Sequence, residues 1–449
     1  MFSAEGQLCA QAAHIPVHLG SMAYAMADIV GNFTWTAGDM VVVNDPYLGG
    51  THLPDVTLIA PVFIQEQLLG FVANRAHHAN IGSSSPGSMP VSTSLEQEGL
   101  VIPPTFIERR FQRVDDVMQK LCGGSGVIDA RAEGDFSAQL SANRIGVRRL
   151  AQLIETMGQG MSSAAVEVQG DCLTRYREAL RELNDYGERL ALAELAGIPE
   201  GQYQFTDYMD DDGAGTTDIP ICVALRVGKT RIDVDFSGTA SQVSGNINCP
   251  LSVAAAAVYY VFRCLLPAQT PACAGSFRPL RIVAPVGCLL NARRPAAVAA
   301  GNVETSTRIV DVVLGALAQA IPERIPAASQ GSMNNIAMGC NTAIAADAGD
   351  SDANRSSWDY YETVGGGMGA SPVAPGWSGV QTHMTNTLNT PIESLESHYP
   401  LRITRYELRP GSGGGGAFCG GMGLVREFTF LAPAQVTLLT ERRRKQPWG

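Results

Sequence analysis

The stretch THLPDVTLIAPVFIQEQLLGFVANRAHH, residues 51–78, holds three of the chain's seven histidines and sets a carboxylate three residues after the first of them. His52 and Asp55 form an HxxD pair, while His77 and His78 stand side by side at the far end. Two imidazoles and a carboxylate are the donor types that hold a divalent ion while leaving positions open for water and substrate. HxxD spacings and HH pairs also arise on ordinary surfaces, so the elements between them decide whether these groups meet.

VTLIAPVFI (56–64) reads as one apolar strand and LLGFVANRA (68–76) as another, with QEQ (65–67) the polar break between them. This pattern predicts an antiparallel hairpin. With its turn centred near Glu66, positions mirror about that residue, so Asp55 falls opposite His77, where partners stand about 4.5–5.5 Å apart at Cα. Pro54 argues against a helix and for an extended or turning entry into the strand. Successive strand residues face opposite sides, so His77 and His78 do not bind one ion together. His52, Asp55 and one of His77 and His78 are therefore the metal-ligand candidates, and the other histidine of the pair moves a proton or orients a neighbour.

Three further residues are candidates for substrate binding. Arg75, just before the histidines, suits an anionic substrate or a structural carboxylate. Glu304 opens a predicted helix, where the dipole alone also favours an acid. His383 lies in the polar run THMTNTLNTPIE, which equally suits a hydrogen-bonded loop. Asp45, in NDPYLGG, reads as a turn carboxylate, and DVDFSG (233–238) as strand rather than metal loop. His14 and His18, in HIPVHLG, read as packed or backbone-bonded, and His398 has no supporting pattern.

At 449 residues the chain has room for two or three core-forming units. Its 45% apolar and 17% charged content is that of a folded protein. A net charge of -11 argues against nucleic acid, whose binding needs a basic surface. The ten cysteines occur singly, without CxxC, so neither a disulfide scaffold nor a zinc ribbon is indicated. The first residues show no basic run followed by an apolar run, and the greasiest window, VAAAAVYYVF (253–262), is closed by Arg263. A soluble cytoplasmic protein with no membrane span is expected.

The element pattern predicts an α+β fold with a β-rich metal-site region (1–106), a helical insert (107–200) and a Gly-rich mixed half (201–449). Helices are predicted over 106–122, 137–158, 164–195 and 304–322, the last with Ile309, Val310, Val313, Leu314 and Leu317 on one face. Residues 200–290 read as short strands, with Gly228-Lys229 turning between two of them. VGGGMGASPVAPGWSG and RPGSGGGGAFCGGMG read as tight turns and close backbone packing, since no Gly-Lys-Ser/Thr follows either. The first arm of the opening hairpin is too short to pair, and the chain stops just after a strand-like run, so a fragment at both ends is expected.

Long blocks carry a resemblance: AQAAHIPVHLGSM, NDPYLGGTHLPDVTLIAPVF, RAHHANIGSSSPGSMP, EGLVIPP, GNVETSTRIVD, YETVGGGMGA, HMTNTLNTPIE and YPLRITRYELRPGSGGGGAFCGGMGLVRE. Together they make the chain similar to the B subunit of ATP-dependent hydantoinases, a family shared with 5-oxoprolinase and the α subunit of acetone carboxylase. The resemblance implies a divalent ion (Mn, Zn or Mg) on His52, Asp55 and His77, plus a further acidic ligand from upstream of Met1. It implies hydrolysis of an activated cyclic amide with His78 as the catalytic candidate that moves the proton, and with ATP bound by a partner A-type subunit in a hetero-oligomer. Family members carry Asp where this chain has Asn80. Two alternatives stand beside this expectation: carboxylation of a ketone on the same scaffold, and an inactive fragment or non-catalytic scaffold.

Overall fold

The structure, a computed structural model, describes residues 1–12, 14–83, 85–122, 132–157, 165–340 and 358–449. Residues 158 and 164, at the ends of two predicted helices, lie outside these.

Six strands form the sheet that carries the histidines. They are β1 (Phe2–Ser3), β2 (Met40–Val43), β3 (Asp55–Ile64), β4 (Gln67–His77), β5 (Thr105–Arg109) and β6 (Gln112–Arg113), in the order β1-β4-β3-β2-β5-β6. β3 and β4 pair antiparallel with Asp55 opposite His77 and Thr57 opposite Arg75, as the mirror about Glu66 predicts. A bulge between Val62 and Phe63 then shifts the register, so Phe63 meets Leu68. Gln65 and Glu66 close the hairpin with φ of 49° and 63°, the two left-handed residues of a type I′ turn.

Alternation assigns each residue of this hairpin to one of two faces. Val56, Leu58 and Ala60 join a core with Phe136 and Leu140 of α3 (Ala132–Thr156), which follows α1 (Ser21–Val30) and α2 (Asp115–Cys122) and precedes α4 (Ala165–Leu195). Ile59 and Phe71, on the other face, pack with Ala25, Met26 and Ile29 of α1. Asp55, Thr57, Arg75 and His77 share parity with Ile59 and Phe71 and therefore lie toward α1; His78 lies toward α3.

Two predictions are corrected here. The helix expected from Phe106 begins only at Asp115, because FIERRFQR is the hairpin β5–β6. Its turn residues, Arg110 and Phe111, take φ of 49° and 68° with no Asn or Gly to announce them. Gly38 (φ 82°) accommodates that turn, since a Cβ there would come within 2.5 Å of the Phe111 ring. The first strand, expected to be too short to pair, lies along β4, with Phe2 opposite Phe71 and Ser3 opposite Gly70.

The second half builds a sheet in the order β10-β9-β8-β7 from β7 (Gly201–Asp211), β8 (Thr217–Val227), β9 (Ile232–Asp235) and β10 (Leu280–Val283). Against it pack α5 (Leu251–Leu265) and α6 (Ser306–Leu317). Every residue of α6 is buried, not one apolar face alone, because its polar side meets partners: Arg308 lies 3.3 Å from Glu441, and Arg442 donates to Asp311 at 2.6 Å. β11 (Asn335–Cys340) and β12 (Trp358–Thr363) form a third sheet with β15 (Gln435–Leu439), while β13 (Leu401–Leu408) pairs with β14 (Leu424–Phe430) beside the short α7 (Ile392–His398). The glycine runs pack backbone on backbone: a Cβ on Gly421 would sit 1.8 Å from the Trp377 carbonyl oxygen. Among the described residues no helix is long and apolar enough to cross a membrane.

Candidate active site

The HxxD segment enters β3 through a turn in which the Asp55 amide donates to the His52 carbonyl at 3.1 Å. Asn44, at the end of β2, fixes that turn by donating to the Leu53 and Leu100 carbonyls, both at 2.9 Å, while accepting from the Ile102 amide at 2.6 Å. His52 and Asp55 end up 1% and 2% exposed. His52 Nε2 lies 3.2 Å from Asp55 Oδ2, yet it makes no hydrogen bond, so the two atoms are not aimed at one another. The His52 and His77 rings stand 5.1 Å apart, and Tyr361 of β12 stacks on His77 at 4.6 Å. Thr51 donates to Asp55 Oδ2. The three predicted ligand candidates are thus brought together at one end of the hairpin.

His77 keeps an exposed edge while its neighbours are buried. The enclosing walls lower its pKa, with His52 adding to the effect, but the open edge is the direct measure of access, and His77 is the solvent-facing member. Asp55 sits at the opposite extreme. Burial alone would raise its pKa, but His18, then His52 and His77, outweigh it and hold the carboxyl well below its ordinary value.

His18 is the residue that sequence reasoning missed. It lies just ahead of α1, 5% exposed, with Nε2 3.5 Å from Asp55 Oδ1. Nothing in HIPVHLG signals this, because only the packing of α1 across the odd-numbered face brings the segment to Asp55. Asn302 was also missed as an individual residue. It sits in a π-helical turn, Gly301–Thr305, just ahead of α6, a distortion frequent at functional sites. Its amide nitrogen lies 3.2 Å from His52 Nδ1 and 3.5 Å from Asp55 Oδ2. Gly301 permits this turn, since a Cβ there would meet the Asn248 carbonyl oxygen at 1.8 Å. Glu98 anchors the preceding loop by accepting from the Val298 and Ala299 amides at 2.8 and 2.9 Å.

The other candidates fare differently. Glu304, in the same π turn, accepts from the Met333 amide at 3.1 Å and leaves Oε2 buried without a partner. Burial, reinforced by Glu441, raises its pKa to about 8, so it is a neutral acid rather than a dipole-stabilised carboxylate. His78 is not brought to the cluster: its Nε2 lies 2.9 Å from Gln139 Oε1 of α3 and its ring packs on Phe136. Arg75 is turned inward, donating to Thr57 and Ser21 at 2.7 Å each, which leaves it structural rather than presented to a substrate. His383 stands beside Asp311, 3.7 Å away, and Tyr260, not beside the other histidines. Asp45 caps the turn Pro46–Leu48 and pairs with Arg294, the turn role read from its sequence.

Among the described residues, no group of three His, Cys, Asp or Glu side chains is set, as it stands, so that it could hold a metal ion. Two donors bound to one ion at about 2.1 Å stand about 3.0–3.4 Å apart, the range in which His52 Nε2 and Asp55 Oδ2 lie. Fold and site together define a mixed α+β protein with an enclosed imidazole–carboxylate cluster where a β-hairpin meets a π turn.

The model of the hydantoinase B/oxoprolinase family matches residues 1–449, and the chain belongs to that family. It is 36% identical over 456 residues to an uncharacterized protein of Methanocaldococcus jannaschii, covering 100% of this chain and 75% of that one. It is 37% identical over 469 residues to 5-oxoprolinase 1 of Arabidopsis thaliana, covering 100% of this chain but 35% of the plant protein. The chain therefore spans about a third of that oxoprolinase. Its fold is similar to that of an ATP-dependent caprolactamase from Pseudomonas jessenii, with a TM-score of 0.84 and 27% identity over 100% of this chain and 74% of that one.

Proposed function

We propose that this chain is the hydrolytic part of an ATP-driven enzyme that opens a cyclic amide, with a divalent ion held by His52, Asp55 and His77. The observation that carries the reading is the pair of His52 Nε2 and Asp55 Oδ2, 3.2 Å apart yet not hydrogen-bonded, with the His77 ring beside them. A buried imidazole nitrogen left without a partner fits a missing cation. Such an ion supplies a positive charge that polarises a carbonyl oxygen and acidifies water.

The protein's own groups do the rest. Asp55, ionised and fixed by Thr51, keeps the cluster anionic. His77 opens it to solvent and substrate, and Tyr361 forms one wall. Glu304, protonated near neutrality, has a hydrogen-bond donor to offer a leaving nitrogen or a ring carbonyl. The activities for which the oxoprolinase and caprolactamase relatives are named support an amide as substrate. ATP is assigned to an A-type partner subunit, consistent with glycine runs that serve packing rather than phosphate binding. No feature of the site favours ketone carboxylation over hydrolysis.

The test is to make His52→Ala and Asp55→Ala in the full-length protein with its partner, then measure bound metal and ATP-dependent ring opening of a panel of lactams. Loss of both supports the reading; retention of both removes it.

A further inference from the structure

Three imidazoles surround Asp55, and they are not equivalent. We propose that His18 is a positioning residue for Asp55: Arg75 fixes its proton on Nε2, so His18 turns an N–H toward the carboxylate and is barred from binding an ion itself. The tautomer stands on hydrogen-bond logic alone; the consequence for an ion rests on the metal reading above.

Arg75 Nη1 lies 3.2 Å from His18 Nδ1. A guanidinium carries five N–H donors and no acceptor, so the imidazole nitrogen facing it must accept. A neutral imidazole holds one proton, which leaves it on Nε2, the atom 3.5 Å from Asp55 Oδ1. Binding an ion through Nε2 would strip His18 of that proton while Arg75 still required an acceptor at Nδ1. His18 would then be an imidazolate.

Arg75 has no freedom to turn away. Nε donates to Thr57 Oγ1 and Nη1 to Ser21 Oγ, both at 2.7 Å, and Nη2 reaches the Gly49 carbonyl at 3.4 Å. The ladder that pairs Asp55 with His77 also pairs Thr57 with Arg75. Donor, ligand candidate and carboxylate are therefore set by one strand register, with His18 laid across them from the α1 side.

His52 differs in one respect that decides its role. Its Nδ1 faces the Asn302 side-chain amide at 3.2 Å, and an amide offers either its NH2 or its oxygen to the same position by turning over. Asn302 Oδ1 has no partner, so turning over gives up only the long 3.5 Å donation from Nδ2 to Asp55 Oδ2. With the oxygen turned inward, His52 carries its proton on Nδ1 and has the Nε2 lone pair to give. An amide permits either tautomer and a guanidinium permits one.

Neutron diffraction from crystals of the deuterated, metal-free full-length protein, repeated with Mn²⁺ added, locates the protons directly. The expected result is deuterium on His18 Nε2 and none on Nδ1 in both states. Deuterium on Nδ1, or loss of it from Nε2 when Mn²⁺ binds, overturns the inference. Titration of Mn²⁺ alone into His18→Ala and His18→Gln gives a second readout. Gln can accept from Arg75 through its oxygen and donate to Asp55 through its NH2. His18→Ala is expected to weaken Mn²⁺ binding about 10–100-fold, and His18→Gln to recover most of that loss. Equal loss in both makes His18 a ligand and refutes the proposal. If the unaltered protein binds no Mn²⁺, the metal reading falls, while the metal-free proton position still decides the tautomer.

Discussion

Glu304 gives the sharpest quantitative test of the site. Its carboxyl, 2% exposed, holds its proton to about pH 8 against an ordinary 4.5. The folded protein therefore binds more protons here than the unfolded chain above pH 4.5, so stability falls as pH rises from 4.5 through 8. Ionised, this one group costs about 4–5 kcal/mol at pH 8, but less than about 1 kcal/mol at pH 5. Glu304→Gln keeps an acceptor for the Met333 amide and removes the titration. Glu98 and Glu441, each raised to about 7 mainly by burial, are present in both proteins, and Glu441 loses a repelling neighbour in the variant, which adds to the stability gained at high pH. The variant should match the parent within about 1 kcal/mol at pH 5 and exceed it by about 3–5 kcal/mol at pH 8. Urea unfolding followed by near-UV circular dichroism at the two pH values measures this. A difference between the proteins that does not change with pH refutes the account of Glu304 as a buried neutral acid.

Three further outcomes are expected. Asn44→Ala removes three buried hydrogen bonds around Leu53 and should cost about 3 kcal/mol in urea unfolding, with Mn²⁺ binding weakened because the HxxD turn loses its anchor. His78→Ala should cost about 2–3 kcal/mol by opening space beside Phe136 and unpairing Gln139, yet leave Mn²⁺ titration unchanged, since His78 faces away from Asp55. Arg426→Met should cost about 3–5 kcal/mol, because it strands Glu362, whose side chain is 4% exposed against the 2% of Arg426; unfolding midpoints report it.

Much of the site was legible because a hairpin needs only apolar runs and a polar break. Those fix a mirror point, and the mirror point fixes which residues oppose. The bulge at Val62 made the inference come out right: the Gln65–Glu66 turn alone, with Ile64 opposite Gln67, would set Asp55 opposite Ala76, and the extra residue on β4 moves His77 into that place. β5–β6 was misread for a related reason. Arg110 and Phe111 make a left-handed turn without turn residues, and the surrounding charges imitate an amphipathic helix. His18 and Asn302 were out of reach for another cause. Their approach depends on α1 and a π turn packing against a sheet more than thirty residues away in one case and more than two hundred in the other. The burial of the polar side of α6 had no local signal because its partners, Glu441 and Arg442, come from beyond the last strand.

The adjacent histidines acquire a different meaning once the strand pairing is known. A slip of β4 by one residue past β3 exchanges the side chains on its two faces. At most positions that would place a wrong group in the cluster. Here a one-residue deletion near the Gln65–Glu66 turn would carry His78 toward Asp55 as His77 withdrew toward the α3 side, leaving an imidazole opposite the carboxylate, whereas an insertion would set Ala76 there. The tandem acts as a spare part for its own hairpin, a tolerance to shortening that a lone histidine at 77 would lack.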